Sequence, residues 1–171
     1  MTSDQRKTLI LSSLGLALFG LFFLGLLFWL DGWPGPMPDP AARIVLALKF
    51  CVLPAGFLLL VIQVVALTRL VTGASDALHD SPPRWRAVDM RVLANTVEQT
   101  LAFLPLYIAM AMVLKADESA LIAALPITFT AARVVFWIGY RIGTFARAPG
   151  MAAGFVLNLG LLAFVVVRVL G

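Results

Sequence analysis

The chain has 171 residues, of which 61% are hydrophobic and 13% charged, and its formal net charge is +4. Soluble domains carry about 25% charged residues, so this composition excludes a soluble globular fold. Apolar runs of about 20 residues also exclude an outer-membrane barrel, whose strands alternate over about 10.

The first run, Thr8–Leu30, follows Arg6 and Lys7. It exceeds the roughly 7–15 apolar residues of a signal peptide, and Asp31-Gly32-Trp33-Pro34 is not a small-residue cleavage site, so a retained span is predicted. Gly32–Pro40, with four prolines and two glycines, predicts a non-helical connection at the membrane surface. A second span covers Ala42–Arg69. Lys49 near its start can snorkel to the interface, Pro54 predicts a kink, and Gln63 is the one polar residue well inside. Cys51, the only cysteine, excludes an intrachain disulfide and reads as a small buried hydrophobe. Val71–Val88 is the longest polar connection. Its His79 has no metal-ligand neighbours at usable spacing, so no metal site is predicted.

The third span runs Asp89–Leu114 and ends in the short hinge Lys115–Glu118. The fourth, Ser119–Ile142, returns as its antiparallel neighbour. Gly143–Pro149 carries Arg147, and the fifth span, Gly150–Leu170, holds Asn158 inside and Arg168 at its end. No internal repeat or low-complexity tract interrupts this order. The expected fold is an all-α integral membrane bundle of five spans. Lys and Arg gather at the N-terminus (Arg6, Lys7), in the second loop (Arg69, Arg84, Arg86, Arg91) and in the fourth (Arg141, Arg147). The other side has Arg43, Lys115 and Arg168, so the N-terminus is expected in the cytoplasm and the C-terminus outside. The positive charge thus points to topology first and an anionic ligand second, ahead of nucleic acid, and no nucleic-acid partner is expected.

Arg91, Asn95 and Glu98 stand at i, i+4 and i+7, which puts a cation, an amide and a carboxylate on one helix face. At 1.5 Å per residue Glu98 lies roughly 10 Å inside the span and Arg133 roughly 12 Å, with Gln63 and Asn158 at similar depth. A carboxylate in lipid without a partner costs several kcal/mol. Arg133 is the expected partner of Glu98, because their helices are joined by the tight hinge. Arg133, Trp137 and Tyr140 repeat the same spacing on the next helix. One ion pair suffices for helix packing, whereas Arg91, Arg133, Arg141 and Arg147 face only Glu98 and Asp89. That surplus calls for an anion bound through bidentate guanidinium contacts. The bland alternative is interhelical polar glue.

The pattern Arg91-x3-Asn95-x2-Glu98, followed by Arg133-x5-Gly139-Tyr140 and by Arg147, resembles the MAPEG family, the membrane-associated proteins in eicosanoid and glutathione metabolism. The resemblance covers roughly 42–170 and leaves the first span as an addition, dividing the chain into 1–41 and a four-helix domain over 42–171. It implies a homotrimer with glutathione bound between subunits near the cytosolic face. The expected localisation is a multi-pass integral membrane protein of the bacterial inner membrane, with its site facing the cytoplasm. The resemblance further implies that Arg91 and Arg133 hold carboxylates of glutathione. Asn95 and Glu98 take its amine and backbone end, Tyr140 adds a hydrogen bond, and Gln63 is a further contact. Arg147 matches the arginine that stabilises the thiolate. A cation lowers a thiol's pKa and so favours the nucleophile. Hydrophobic electrophiles or lipid hydroperoxides would then enter from the bilayer. Phe136 stands where several members have a tyrosine, and Gln99 replaces an aromatic found in some. A glutathione transferase or peroxidase is therefore the first reading. A non-catalytic lipid-binding or partner-scaffolding protein of the same fold is the second.

Overall fold

The computed structural model describes residues 2–73 and 82–171, so His79 lies outside the described residues. Its helices are α1 (Ser3–Trp29), α2 (Pro40–Phe50), α3 (Val52–Val71), α4 (Arg84–Val113), α5 (Leu121–Ile142) and α6 (Ala148–Leu170). A 3-10 turn, Ala116–Glu118, lies between α4 and α5. With α2 and α3 taken together, five helical stretches are long and apolar enough to cross a membrane. The chain is thus an all-α, multi-pass integral membrane bundle.

Pro54 acts where expected. It has no N–H to donate, and its ring collides with the carbonyl four residues back, so the second span breaks into two helices at Cys51. The third span begins earlier than its apolar run, because Pro83 fixes the entry to α4 and Arg84 and Arg86 occupy its first turn. α6 opens on Ala148-Pro149, where a missing N–H is harmless.

Three apolar clusters hold the bundle. The largest joins α4, α5 and α6 through Phe103, Tyr107, Phe129 and Leu161. Its rings stack at centroid distances of 4.2 Å for Phe103–Phe129 and 5.3 Å for Phe103–Tyr107. A second, around Phe57, Val92 and Phe136, lies nearer the arginine-rich end. A third ties Leu30, which caps the C-terminus of α1, to Ala123 and Ala124 of α5. α1 packs on α5 and α6 and not on the α3–α4 pair. Its approach to α6 is close: a Cβ on Gly15 would stand 2.4 Å from Pro149 Cα.

At the end away from the arginine cluster, Arg43 is buried and caps α4. Its Nε donates to Ala111 O at 3.0 Å and its Nη2 to Met112 O at 3.1 Å, while Nη1 reaches Met37 O at 2.7 Å. The last carbonyls of a helix lack intrahelical partners, and one guanidinium here serves two of them. Ser119 Oγ donates to Gly35 O at 2.7 Å, and Arg168 pairs with Glu118, closing the same end.

Candidate functional site

The polar residues singled out in the sequence divide between the inside and the outside of the bundle. Asp89, Thr96, Thr100, Phe103 and Tyr107 form the inward face of α4. Arg91 and Glu98 fall on its opposite face and are exposed, and Gln63 of α3 is exposed as well. The expected single layer of converging groups is therefore corrected. Helical phase, not depth alone, decides which groups meet, and Gln63, Arg91 and Glu98 point away from the core.

The expected Arg133–Glu98 pair is also corrected. Arg133 is fully buried. Its Nη1 donates to Asn95 Oδ1 at 2.9 Å and its Nη2 to Gly150 O at 2.9 Å. The Phe136 ring lies beneath it, with the guanidinium carbon 5.0 Å from the centroid. Gly154 makes the room, since a Cβ there would stand 2.3 Å from Nη2. Asn95 lies 40° around the helix from Arg91, just far enough to turn inward and meet Arg133, while Glu98 remains outside. Among the described residues Glu98 has no ion pair, and Arg133 Nε has no hydrogen-bond partner.

A constellation that sequence reasoning passed over anchors the arginine-rich end. Asp89 is fully buried and accepts from Trp137 Nε1 at 2.8 Å and from Arg141 Nε and Nη2 at 3.0 and 2.6 Å. The Arg141 guanidinium also covers the Trp137 ring at 5.2 Å. Trp137 and Arg141 at i, i+4 opposite an acid were the available signal; Asp89 had figured only as counter-charge. Asn158, the polar residue of the last span, donates Nδ2 to Gln99 O at 3.1 Å and to Gln99 Oε1 at 2.9 Å. Gln99 is thus turned toward α6, away from the Arg91–Glu98 face.

Arg147 sits at the start of α6, half-buried. Its Nε donates to Thr144 O at 3.1 Å, and its guanidinium lies over the Tyr140 ring at 4.5 Å from the centroid. Tyr140 leans in turn on Phe136 at 5.8 Å. A chain of contacts therefore runs Arg147–Tyr140–Phe136–Arg133–Asn95, from the loop to the edge of the exposed face of α4. The tight turn that positions Arg147 depends on Gly139, whose Cβ would fall 2.1 Å from Ala146 O. Chemically the assembly offers donors for carboxylates at Arg91, an acceptor for an ammonium at Glu98, and a stacked cation at Arg147.

The sequence model of the MAPEG family matches residues 46–167, from within α2 to near the end of α6, and leaves α1 outside. No curated protein matches the chain.

Proposed function

Because the chain belongs to the MAPEG family, we propose that it is a membrane glutathione transferase, with peroxidase activity toward lipid hydroperoxides. It works as a homotrimer whose glutathione site faces the cytoplasm. Residues 1–41 are an addition to the working unit over 42–171. The observation that carries this reading is the exposed Arg91–Glu98 face of α4. A bare charge at membrane depth costs about 2.5–3.5 kcal/mol even on insertion scales. A second copy of the chain, with a zwitterionic ligand between the two, removes that cost.

Glutathione fits the groups on this face. Arg91 takes a carboxylate, Glu98 takes the ammonium, and Asn95 is held in place from behind by Arg133. Gln63 lies on the neighbouring helix, on the surface that a second copy would cover, and Tyr140 offers a hydroxyl beside Arg147. The Arg147 guanidinium, aimed by its Tyr140 contact and its bond to Thr144 O, stabilises the thiolate once the thiol proton has passed to water. In conjugation the thiolate sulfur bonds to the electrophilic carbon, and the displaced electron pair leaves with the leaving group or moves to a carbonyl oxygen and is protonated. In peroxide reduction the sulfur takes the distal oxygen as the O–O bond breaks, and the alkoxide is protonated to an alcohol. A second glutathione then converts the resulting sulfenic acid to disulfide and water.

A non-catalytic lipid-binding role is the second reading. It is favoured by Phe136, which is buried and has no hydroxyl, and by Gln99, which is taken up by Asn158. The two readings separate on one experiment. Glutathione at 100 times its dissociation constant adds about 2.7 kcal/mol, visible as a raised melting temperature. No shift at millimolar glutathione, with no conjugation of a generic aromatic electrophile, would leave the lipid-binding role standing instead.

A further inference from the structure

The helix outside the family match shares a cleft with Arg147. On the N-terminal side of the Gly15–Pro149 crossing, the first turns of α1 run beside the Thr144–Arg147 turn, and Lys7 Nζ lies 5.9 Å from the Phe145 ring centroid. Between them is a cleft of about 360 Å³, within the range of about 300–1,000 Å³ typical of small-ligand sites. Its lining combines polar groups at Thr8, Ser12 and Arg147 with apolar ones at Phe145, Met151 and Phe155. Among the described residues no carboxylate lines it. The Thr8 hydroxyl is taken up by Asp4 O at 2.9 Å, and Arg147 gives only its Nε to Thr144 O. The Ser12 hydroxyl and the terminal nitrogens of Arg147 have no hydrogen-bond partner among the described residues. With the Arg147 cation and the Ser12 and Thr144 hydroxyls as its polar groups, the polar end suits an oxygen acceptor better than a charged amine, which the guanidinium would repel. At the apolar end, Met151 and Phe155 are 43% and 55% exposed on the outer surface of α6, where a bilayer around the bundle would give an entry.

We propose that this cleft is the acceptor pocket, binding a single-chain lipid electrophile with its head oxygen at Ser12 and Arg147 and its chain along Met151 and Phe155. The electrophile's fate rests on the glutathione transferase reading; the pocket's position does not. Thr8 and Ser12 precede the matched residues 46–167, so α1 contributes a wall that the family core lacks. On this view α1 selects the second substrate.

The test uses the full-length protein in lipid nanodiscs and two probes. With palmitic acid carrying a chain diazirine, photolabelling should concentrate on Met151–Phe155 and on the Ser12 turn. Ser12→Phe, which fills the cleft, should reduce it about tenfold, the scale on which an apolar pocket discriminates by shape. Thr8→Phe provides a second filling variant should the first not assemble. Labelling spread evenly over the lipid-facing helices, or unchanged in the filled variants, would overturn the pocket. With glutathione and dodecenal, the same variants should raise KM for the aldehyde and leave the glutathione Kd unmoved. Turnover with an unmoved KM and unmoved labelling defeats the pocket and leaves the transferase intact. Ser12-dependent labelling without any glutathione binding defeats the transferase and leaves the cleft as a lipid site.

Discussion

The two arginines at the hinge end, Arg43 and Arg168, are committed to the chain itself: one caps α4 and the other pairs with Glu118. At the other end, Arg133 and Arg141 are similarly committed, to Asn95, Gly150 and Asp89. Arg84 and Arg91, however, have no hydrogen bond or ion pair among the described residues, and Arg147 uses only one of its nitrogens. Both ends keep arginine at the membrane boundary, yet only one keeps a surplus. Guanidiniums that cap helices make structure; those without internal acceptors are available to a ligand. The Arg–Glu column that drew attention in the sequence belongs to the second class because α4 turns it outward.

The largest effect should come from breaking the committed class. Arg43→Ala leaves the Ala111 and Met112 carbonyls without their donor in a buried setting, and about 3–5 kcal/mol of stability should be lost, by analogy with truncated buried charge partners. A thermal melt in detergent reads this directly; a melting temperature within a degree or two of wild type would mean that water serves those carbonyls equally well. Arg147→Ala belongs to the uncommitted class and should cost no more than its one hydrogen bond and its ring contact supply, about 1 kcal/mol, well below Arg43→Ala. Conjugation should fall by about 10²-fold, as for loss of one preorganised charge-stabilising donor. Should the same variant melt as early as Arg43→Ala, Arg147 is a structural residue and the contrast between the two classes fails at its most important member.

How much of this the sequence carried follows from the kinds of interaction involved. Five spans, the Pro54 break and the added N-terminal helix were legible because apolar length and proline act locally. The partners of Arg133 were not. Depth along a helix can be counted from residue number, but helical phase relative to a neighbour cannot. A difference of 60° between Asn95 and Glu98 decided which of them met the guanidinium. The room for that guanidinium comes from Gly154, on a third helix and 21 positions away in sequence from Arg133. Backbone acceptors such as Gly150 O and Ala111 O leave no mark on residue type, so the Arg43 cap could not be read from composition. Asp89 was visible as a charge, and only packing made it the shared acceptor of Trp137 and Arg141.

Gly154→Ala tests that phase argument with a single carbon. Its Cβ would stand 2.3 Å from Arg133 Nη2 and 3.0 Å from the guanidinium carbon, so the side chain has to shift. Overpacking of this kind costs about 1–3 kcal/mol. Because the displaced group also holds Asn95, glutathione affinity should fall together with stability, whereas Gly160→Ala, with open space at its Cβ, should leave affinity unmoved and stability unchanged or raised by about 0.5–1 kcal/mol. Equal behaviour of the two variants would show that Arg133 is not packed against α6.

The smallest effect should come from the Arg168–Glu118 pair, and it probes the hinge end from the other direction. Both side chains are 25% exposed, so solvent screens them, and pairs of this kind contribute about 0–1 kcal/mol. Arg168 also lies 5.0 Å from the Phe164 ring and loses that contact when truncated. A double-mutant cycle with Arg168→Ala and Glu118→Ala separates the two contributions, because only the charge coupling survives subtraction. Coupling below about 1 kcal/mol with unaltered conjugation would confine the hinge end to structure, and the bulk of its stability would then trace to Arg43. Loss of conjugation in either single variant would mean that the hinge geometry reaches the Arg91 face through α4, and the division of labour between the two ends would have to be abandoned.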